Sequence, residues 1–160
     1  GHGGPNWPRQ RLDLQLSSRV GAQRDTIVQL SAYRALYDNQ RADTGYGLAV
    51  VAYAWSPLVL QAGLTANVSD PGAVHSLMAS AAATWGREGE QTFSLRAASG
   101  SESYQALGAG QQLVDFRSHA LALQWRRWLA PRWGLSAQLE HYRNPSYERL
   151  SASAGVFVQF

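Results

Sequence analysis

The sequence predicts an all-β protein, a transmembrane antiparallel up-and-down β-barrel of about eight to ten strands. Three observations carry this expectation. Long runs alternate apolar and polar residues, the period of a strand with one greasy and one wet face. The runs are separated by short Gly, Pro, Asn and Asp clusters of the turn type. The last run, Tyr147 to Phe160, stops on an aromatic residue. Leu150, Ala152, Ala154, Val156, Val158 and Phe160 make its apolar face, with Arg149, Ser151, Ser153, Gly155, Phe157 and Gln159 interleaved. In a soluble sandwich such a strand would be a poor edge. In a membrane barrel it is paired on both sides, and Phe160 joins the interfacial aromatics.

Composition is compatible with this class. The chain has 160 residues, enough for one domain, and 45% are hydrophobic. Mean hydropathy is −0.28, and no run of about 18 apolar residues offers a membrane helix. A barrel strand needs only ~9–11 residues, half of them apolar, so soluble-looking averages do not exclude it. The absence of cysteine removes disulfides and thiolate metal sites. All 14 basic residues are arginine, and the net charge of +3 is too small and too evenly spread to argue for nucleic acid.

The elements follow in order. Residues 1–10, rich in Gly and Pro, read as a flexible entry or a cloning scar, too polar to be a signal peptide. The barrel domain is expected over 11–160, either whole or as the C-terminal part of a larger protein. Arg11–Gly21 alternates Leu12, Leu14 and Leu16 against Asp13, Gln15, Ser17 and Arg19. A turn at 21–25 leads to a strand through Tyr37, with Thr26, Val28, Leu30 and Ala32 on one face. After the polar loop 38–43, strands Thr44–Ser56 and Leu58–Val68 meet at Ser56-Pro57. The turn Ser69–Gly72 precedes His75–Gly86, and Arg87–Glu90 precedes Gln91–Ser99. Gly100–Gln112 reads as the longest loop. Leu113–Trp128, Trp133–Tyr142 and Tyr147–Phe160 complete nine candidate strands, joined at 130–132 and 144–146. An odd number conflicts with the even count of single-chain bacterial barrels. Either one strand is false, the entry adds one, or the chain belongs to a longer barrel.

Counting from a periplasmic C-terminus, the turns near 21–25, 56–57, 87–90 and 129–132 are expected to be periplasmic. Those at 38–43, 69–73, 100–112 and 144–146, mostly longer, are expected to be external. Trp55, Trp85, Trp128 and Trp133 then flank periplasmic turns, and Tyr37, Tyr46, Tyr104, Tyr142 and Tyr147 flank external ends. This defines two aromatic belts, with Phe160 in the periplasmic girdle.

The segment GSESYQALGAGQQLVDF through LQWRRWLAPRWGLSAQLEHYRNPSYERLSASAGVFVQF, Gly100–Phe160, resembles the closing part of YaiO-type outer-membrane barrels. These carry a Gly/Ser-rich loop with Tyr, a strand, an L-x-P-R-W-type turn, and a final Tyr-Arg strand ending in Phe. The resemblance implies a bacterial outer-membrane location and contact with outer-membrane lipids and lipopolysaccharide. It also implies recognition by the barrel-assembly machinery through the strand ending at Phe160, and association with an exopolysaccharide-export complex. It says little about activity, because fold does not fix function.

Chemistry is expected at two places. The inward-facing polar residues Asp13, Arg19, Gln61, Arg96, Arg126, Gln138, Glu140 and Arg149 are expected to plug a small barrel with ion pairs and hydrogen bonds. At the external rim, His141 and Glu148 approach across the 144–146 turn, with Arg143 and Ser146 on the same side. A Ser/His/Glu set there would suit a hydrolase acting on lipid A acyl esters: Ser146 as nucleophile, His141 as base, Glu148 to orient the imidazole. The run Glu140-His141-Tyr142-Arg143-Asn144 is similar to the His-Tyr-Ser-Asn stretch of PagL-type lipid A deacylases, with Arg143 where that family has its nucleophile. The alternative reading needs no catalysis: polar groups mark the interfacial band, and Arg143 meets lipopolysaccharide phosphates. His2, His75 and His119 lie apart, no histidine pair has metal-site spacing, and no cofactor motif is present.

Overall fold

The computed structural model describes residues 8–37, 41–108 and 111–159. These form nine strands: β1 (Gln10–Val20), β2 (Thr26–Leu36), β3 (Ala42–Trp55), β4 (Leu58–Asp70), β5 (Val74–Arg87), β6 (Gln91–Gly108), β7 (Gln111–Ala130), β8 (Trp133–Arg143) and β9 (Glu148–Val158). There is no helix among the described residues. The strands lie in one sheet in sequence order, and each consecutive pair is antiparallel. Among the described residues β1 touches only β2, and β9 touches only β8, so the ladder they form has two bare edges. Most of the entry segment, and Phe160, fall outside the described residues.

Turn chemistry sets the register. Gly21, at φ 90°, opens the β1–β2 turn, where the Arg24 amide donates to the Gly21 carbonyl at 3.2 Å. Asn144 closes the β8–β9 hairpin: its Oδ1 accepts from the amides of Ser146 and Tyr147, both at 2.9 Å. Such a side-chain acceptor mimics a backbone turn. β2, β4, β6 and β8 finish at one end of the sheet, here the upper end, and β1, β3, β5 and β7 at the lower.

One expectation is corrected here. Gly100–Gln112 is not a loop: β6 continues to Gly108 and β7 begins at Gln111, with pairing extended through Ser101↔Arg117 to Gly108↔Gln111. The Gly and Ser content reads as loop chemistry, but two strands already in register satisfy each other's backbone groups at no further closure cost. The asymmetry expected of the Gly100–Gln112 loop resides instead in the long β6–β7 hairpin.

The sheet curves toward one face. A single cavity of about 540 Å³ touches residues from Gln61 on β4 to Glu140 on β8, which in a flat sheet would be four strand spacings, ~19 Å, apart. The concave face carries the odd residues of β1–β4 and β9 and the even residues of β5–β8, except past the register shift after Ala52, which turns Trp55 to the convex side opposite Leu58. Its middle is small: Gly47, Gly63, Ser80, Ala98, Ala120 and Ala122. The few buried side chains sit at its ends. Ala35, Ser69, Ser76, Phe116, Ser118 and Asn144 are buried above, and Trp128, 8% exposed, below. The convex face is the opposite. Twenty-five large apolar side chains are exposed among the described residues, and only three apolar ones are buried. Leu14, Leu30, Leu48, Leu64, Leu95 and Leu123 all belong to the convex set.

Gly45 shows how the small concave residues place larger ones. A Cβ there would collide with the Tyr33 ring and Asn67 Oδ1. Without it, Tyr33 lies across β3 and its hydroxyl donates to Asn67 Oδ1 at 3.0 Å. Gly45→Val is expected to displace that ring and destabilise the fold by about 1–3 kcal/mol, as overpacking does. A chemical denaturation midpoint unchanged from the unsubstituted protein would refute this placement.

Candidate functional site

Three groupings of functional side chains emerge, two on the convex face and one on the concave. At the lower convex end, Trp55, Leu58, Trp85, Phe93 and Trp125 are successive direct partners across β3–β7. Trp55 is 66% exposed and Trp85 52%, and the Trp85 and Phe93 rings are 6.0 Å apart. Trp133 is exposed at the same end, opposite Val158. Trp128 does not join this row. As an even residue of β7 it faces inward, edge-on to Phe157 at 5.1 Å, with Arg126 stacked 4.9 Å from its own ring and 4.2 Å from Phe157. The tyrosines of the upper end divide similarly. Tyr46 is exposed on the convex face, but Tyr142 turns inward, donating to Glu102 Oε1 at 3.0 Å and stacking on Tyr147 at 5.6 Å. Tyr37 lies in the β2–β3 connection beneath Arg41, and burial, followed by the hydrogen bond and charge of Asp43, raises its phenol above the ordinary value. Of Tyr104 only the strand position lies within the described features.

The upper convex end carries the polar row. Ala79, Ser99, His119, Arg143 and Glu148 are successive direct partners across β5–β9. His141 Nε2 lies 2.7 Å from Glu148 Oε1, which accepts its hydrogen bond. The cross-strand approach of His141 and Glu148 is thus present. The hydroxyl next to an imidazole, however, is not Ser146. Ser146 is held in the turn by its amide, and His141 Nε2 is taken by Glu148. Ser99 Oγ is the hydroxyl that shares a hydrogen bond with an imidazole, His119 Nδ1, at 2.8 Å. Sequence reading missed this pair although both residues lay in expected strands, because the register that sets Ser99 opposite His119 was not drawn.

The concave face holds the remaining candidates as separate pairs instead of one plug. Arg149 donates to Glu140 at 2.6 Å. Asp13 pairs with Arg11 on its own strand at 2.8 Å, not with Arg19, and Arg11 also stacks over Tyr33 at 4.6 Å. Arg126 is held by aromatic rings, and Arg96 lines the cavity with Gln61 and Glu140. Gln138 lies directly opposite Gln124 and Ser153. Small side chains leave the middle open, so charges meet only where two long chains happen to be adjacent. A second cavity of about 230 Å³, lined by Gln15, Gln29, Ser31, Gly47, Gln61 and Ser80 among others, adjoins the first through Gln61 and Ser80. The result is a trough of amides, hydroxyls and small residues across the sheet. No group of three or more His, Cys, Asp or Glu that could hold a metal occurs among the described residues.

In comparisons with protein-family models, with curated proteins and with solved structures, nothing matches the chain.

The upper hairpin is what brings His141 to Glu148. Asn144→Ala removes two acceptor contacts from a buried side chain and is expected to cost about 1–2 kcal/mol, together with loss of the His141–Glu148 pair. Thermal unfolding and the His141 ring shifts in NMR would report both; unchanged His141 resonances would overturn the dependence.

Proposed function

We propose that the protein is a non-enzymatic β-barrel of the bacterial outer membrane, YaiO-like, that acts as an envelope barrel associated with exopolysaccharide export. The observation that carries this reading is the inversion of the two faces. Apolar side chains such as Leu12, 75% exposed, and Leu150, 70% exposed, cover the convex face, while amides, hydroxyls and charges occupy the concave one. Monomeric soluble proteins rarely expose contiguous apolar patches above ~600 Å². Lipid contact removes that cost, and closure of the ladder would satisfy the backbone edges that a bilayer cannot. The Trp row below and the Arg/His row above have the arrangement of interfacial residues bounding an apolar band. The amide and hydroxyl trough on the inner side suits a hydroxyl-rich chain such as an exopolysaccharide, whose groups it could hydrogen-bond.

In mild detergent, unboiled protein is expected to migrate faster than boiled protein on one gel, the behaviour of a closed, detergent-stable barrel. Equal migration, together with solubility in plain buffer, would remove the membrane reading.

The 2.7 Å contact between His141 and Glu148 favours a second reading, a lipid A acyl-ester hydrolase with Ser146 as nucleophile. It is weakened by the absence of any hydrogen bond from the Ser146 hydroxyl to His141 among the described residues. On the leading reading, a strain carrying His141→Ala is expected to show lipid A acylation indistinguishable from the parent by mass spectrometry. Gain of one acyl chain in the variant would establish the hydrolase instead.

A further inference from the structure

We infer that the upper rim of the convex face over β6–β9 is a binding site for the phosphomonoester of a lipid headgroup, with Arg143, Arg117 and His119 as its donors. This rests on the reading that lipid covers the convex face, and it extends from a single arginine to a defined constellation.

The ladder itself assembles the site. His119 and Arg143 are direct partners, and Arg117 lies two residues above His119 on the same face of β7, opposite Ser101. Ser99 holds the His119 ring through Nδ1 at 2.8 Å, which leaves Nε2 to face outward. Ser101 Oγ accepts the Leu77 amide at 3.0 Å, so the strand beneath Arg117 is also pinned. The guanidiniums of Arg143 and Arg117 make no hydrogen bond or ion pair among the described residues, and both residues are exposed. Two acids border the site: Glu148, which opposes Arg143, feels its charge and accepts from His141 at 2.7 Å, and the exposed Asp115, two residues above Arg117 on β7. An anion therefore meets the donors of Arg117, His119 and Arg143 between one carboxylate above and one beside them. Guanidinium groups match phosphate oxygens by paired N–H donors, and a dianionic phosphomonoester uses several such donors at once.

Depth and surroundings select a lipid over a free anion. Below the polar row, Leu121, Leu123, Leu139 and Leu95 are exposed on the same face. The row lies six residues above the aromatic row, Phe93 to Ser99 on β6 and Trp125 to His119 on β7. Six residues span ~20 Å along a strand, short of the ~25 Å apolar band of outer-membrane barrels. The arginines must therefore reach outward along their stems, guanidinium at headgroup level and methylenes against acyl chains. A ligand that fits both parts is amphipathic, a phosphate on an acylated headgroup.

The test uses the full chain reconstituted into vesicles containing either bis-phosphorylated lipid A or the same lipid without its phosphates, with the unfolding temperature as readout. The unsubstituted protein is expected to be more stable in the phosphorylated vesicles, since a ligand bound only to the folded state stabilises it. In titrations of phosphorylated lipid into neutral vesicles, Arg143→Ala with Arg117→Ala is expected to bind about ten-fold more weakly. Arg143→Lys, which keeps the charge but not the paired donors, should fall between. Arg34→Gln, on the same face at the far side of the sheet, should match the unsubstituted protein. Equal stability in both vesicle types, or a double variant that keeps the full preference, would overturn the site. Inorganic phosphate alone reproducing the stabilisation would overturn the lipid assignment. Failure to insert into either vesicle would instead sink the membrane reading beneath it.

Discussion

The continuous antiparallel ladder from β1 to β9 decides which side chains of this protein can meet. Each strand contributes alternate residues to opposite faces, so a one-residue slip in any pairing would exchange the two faces from that strand onward. Tight turns prevent the slip at both ends: Gly21 and Gly89 adopt the positive φ that their turns require, and Asn144 replaces backbone hydrogen bonding with its own side chain. Because the register holds along the body of each pairing, with shifts only near strand ends, rows of chemically related residues persist over five strands. Neither the lower aromatic row nor the upper Arg/His row is local in sequence, and both depend on every intervening pairing.

The energetics of the convex face define its surroundings. Burial of a large apolar side chain is worth ~1.5–3 kcal/mol, so twenty-five exposed ones represent tens of kcal/mol. Domains retain only ~5–15 kcal/mol of net stability. A fold that left that surface in water would forgo most of its driving force, and the concave face cannot compensate, since its middle is glycine, alanine and serine around open space. On the proposed reading, lipid supplies the missing hydrophobic contact from outside the chain. On the inner face, polar residues keep their hydration where no partner reaches them, and pair only where geometry allows, as Arg149 does with Glu140.

Much of this was legible in the sequence. Period-two alternation identified the nine strands and which residues share a face, and the 144–146 turn predicted the meeting of His141 with Glu148. What escaped has identifiable causes. Gly and Ser at 100–108 are weak strand formers by propensity, yet tertiary pairing overrides propensity when a partner strand is already aligned. The Ser99–His119 pair escaped for another reason: both residues lay in expected strands, but alternation alone does not fix which residues stand opposite each other. Trp128 lies next to a turn, and proximity to a turn was taken as a measure of exposure; its even position on β7 sends it inward to Phe157. Tyr142 was misplaced for the same reason. The expected inner plug presumed that long polar side chains fill the space, whereas the alanines and glycines between them, not the charged residues, determine how much space there is.

The bare edges have a consequence that follows from parity. Odd-numbered strands all run in one direction, so β1 and β9 point the same way. Joined directly, they would make the lone parallel seam in an otherwise antiparallel sheet, with slanted and evenly spaced hydrogen bonds in place of the paired pattern elsewhere. One additional strand running opposite to both, or any odd number of them, would let every seam be antiparallel. If the barrel closes as proposed, the two edges become a single slot of fixed polarity, and a strand that fills it antiparallel must start at the end where β9 finishes.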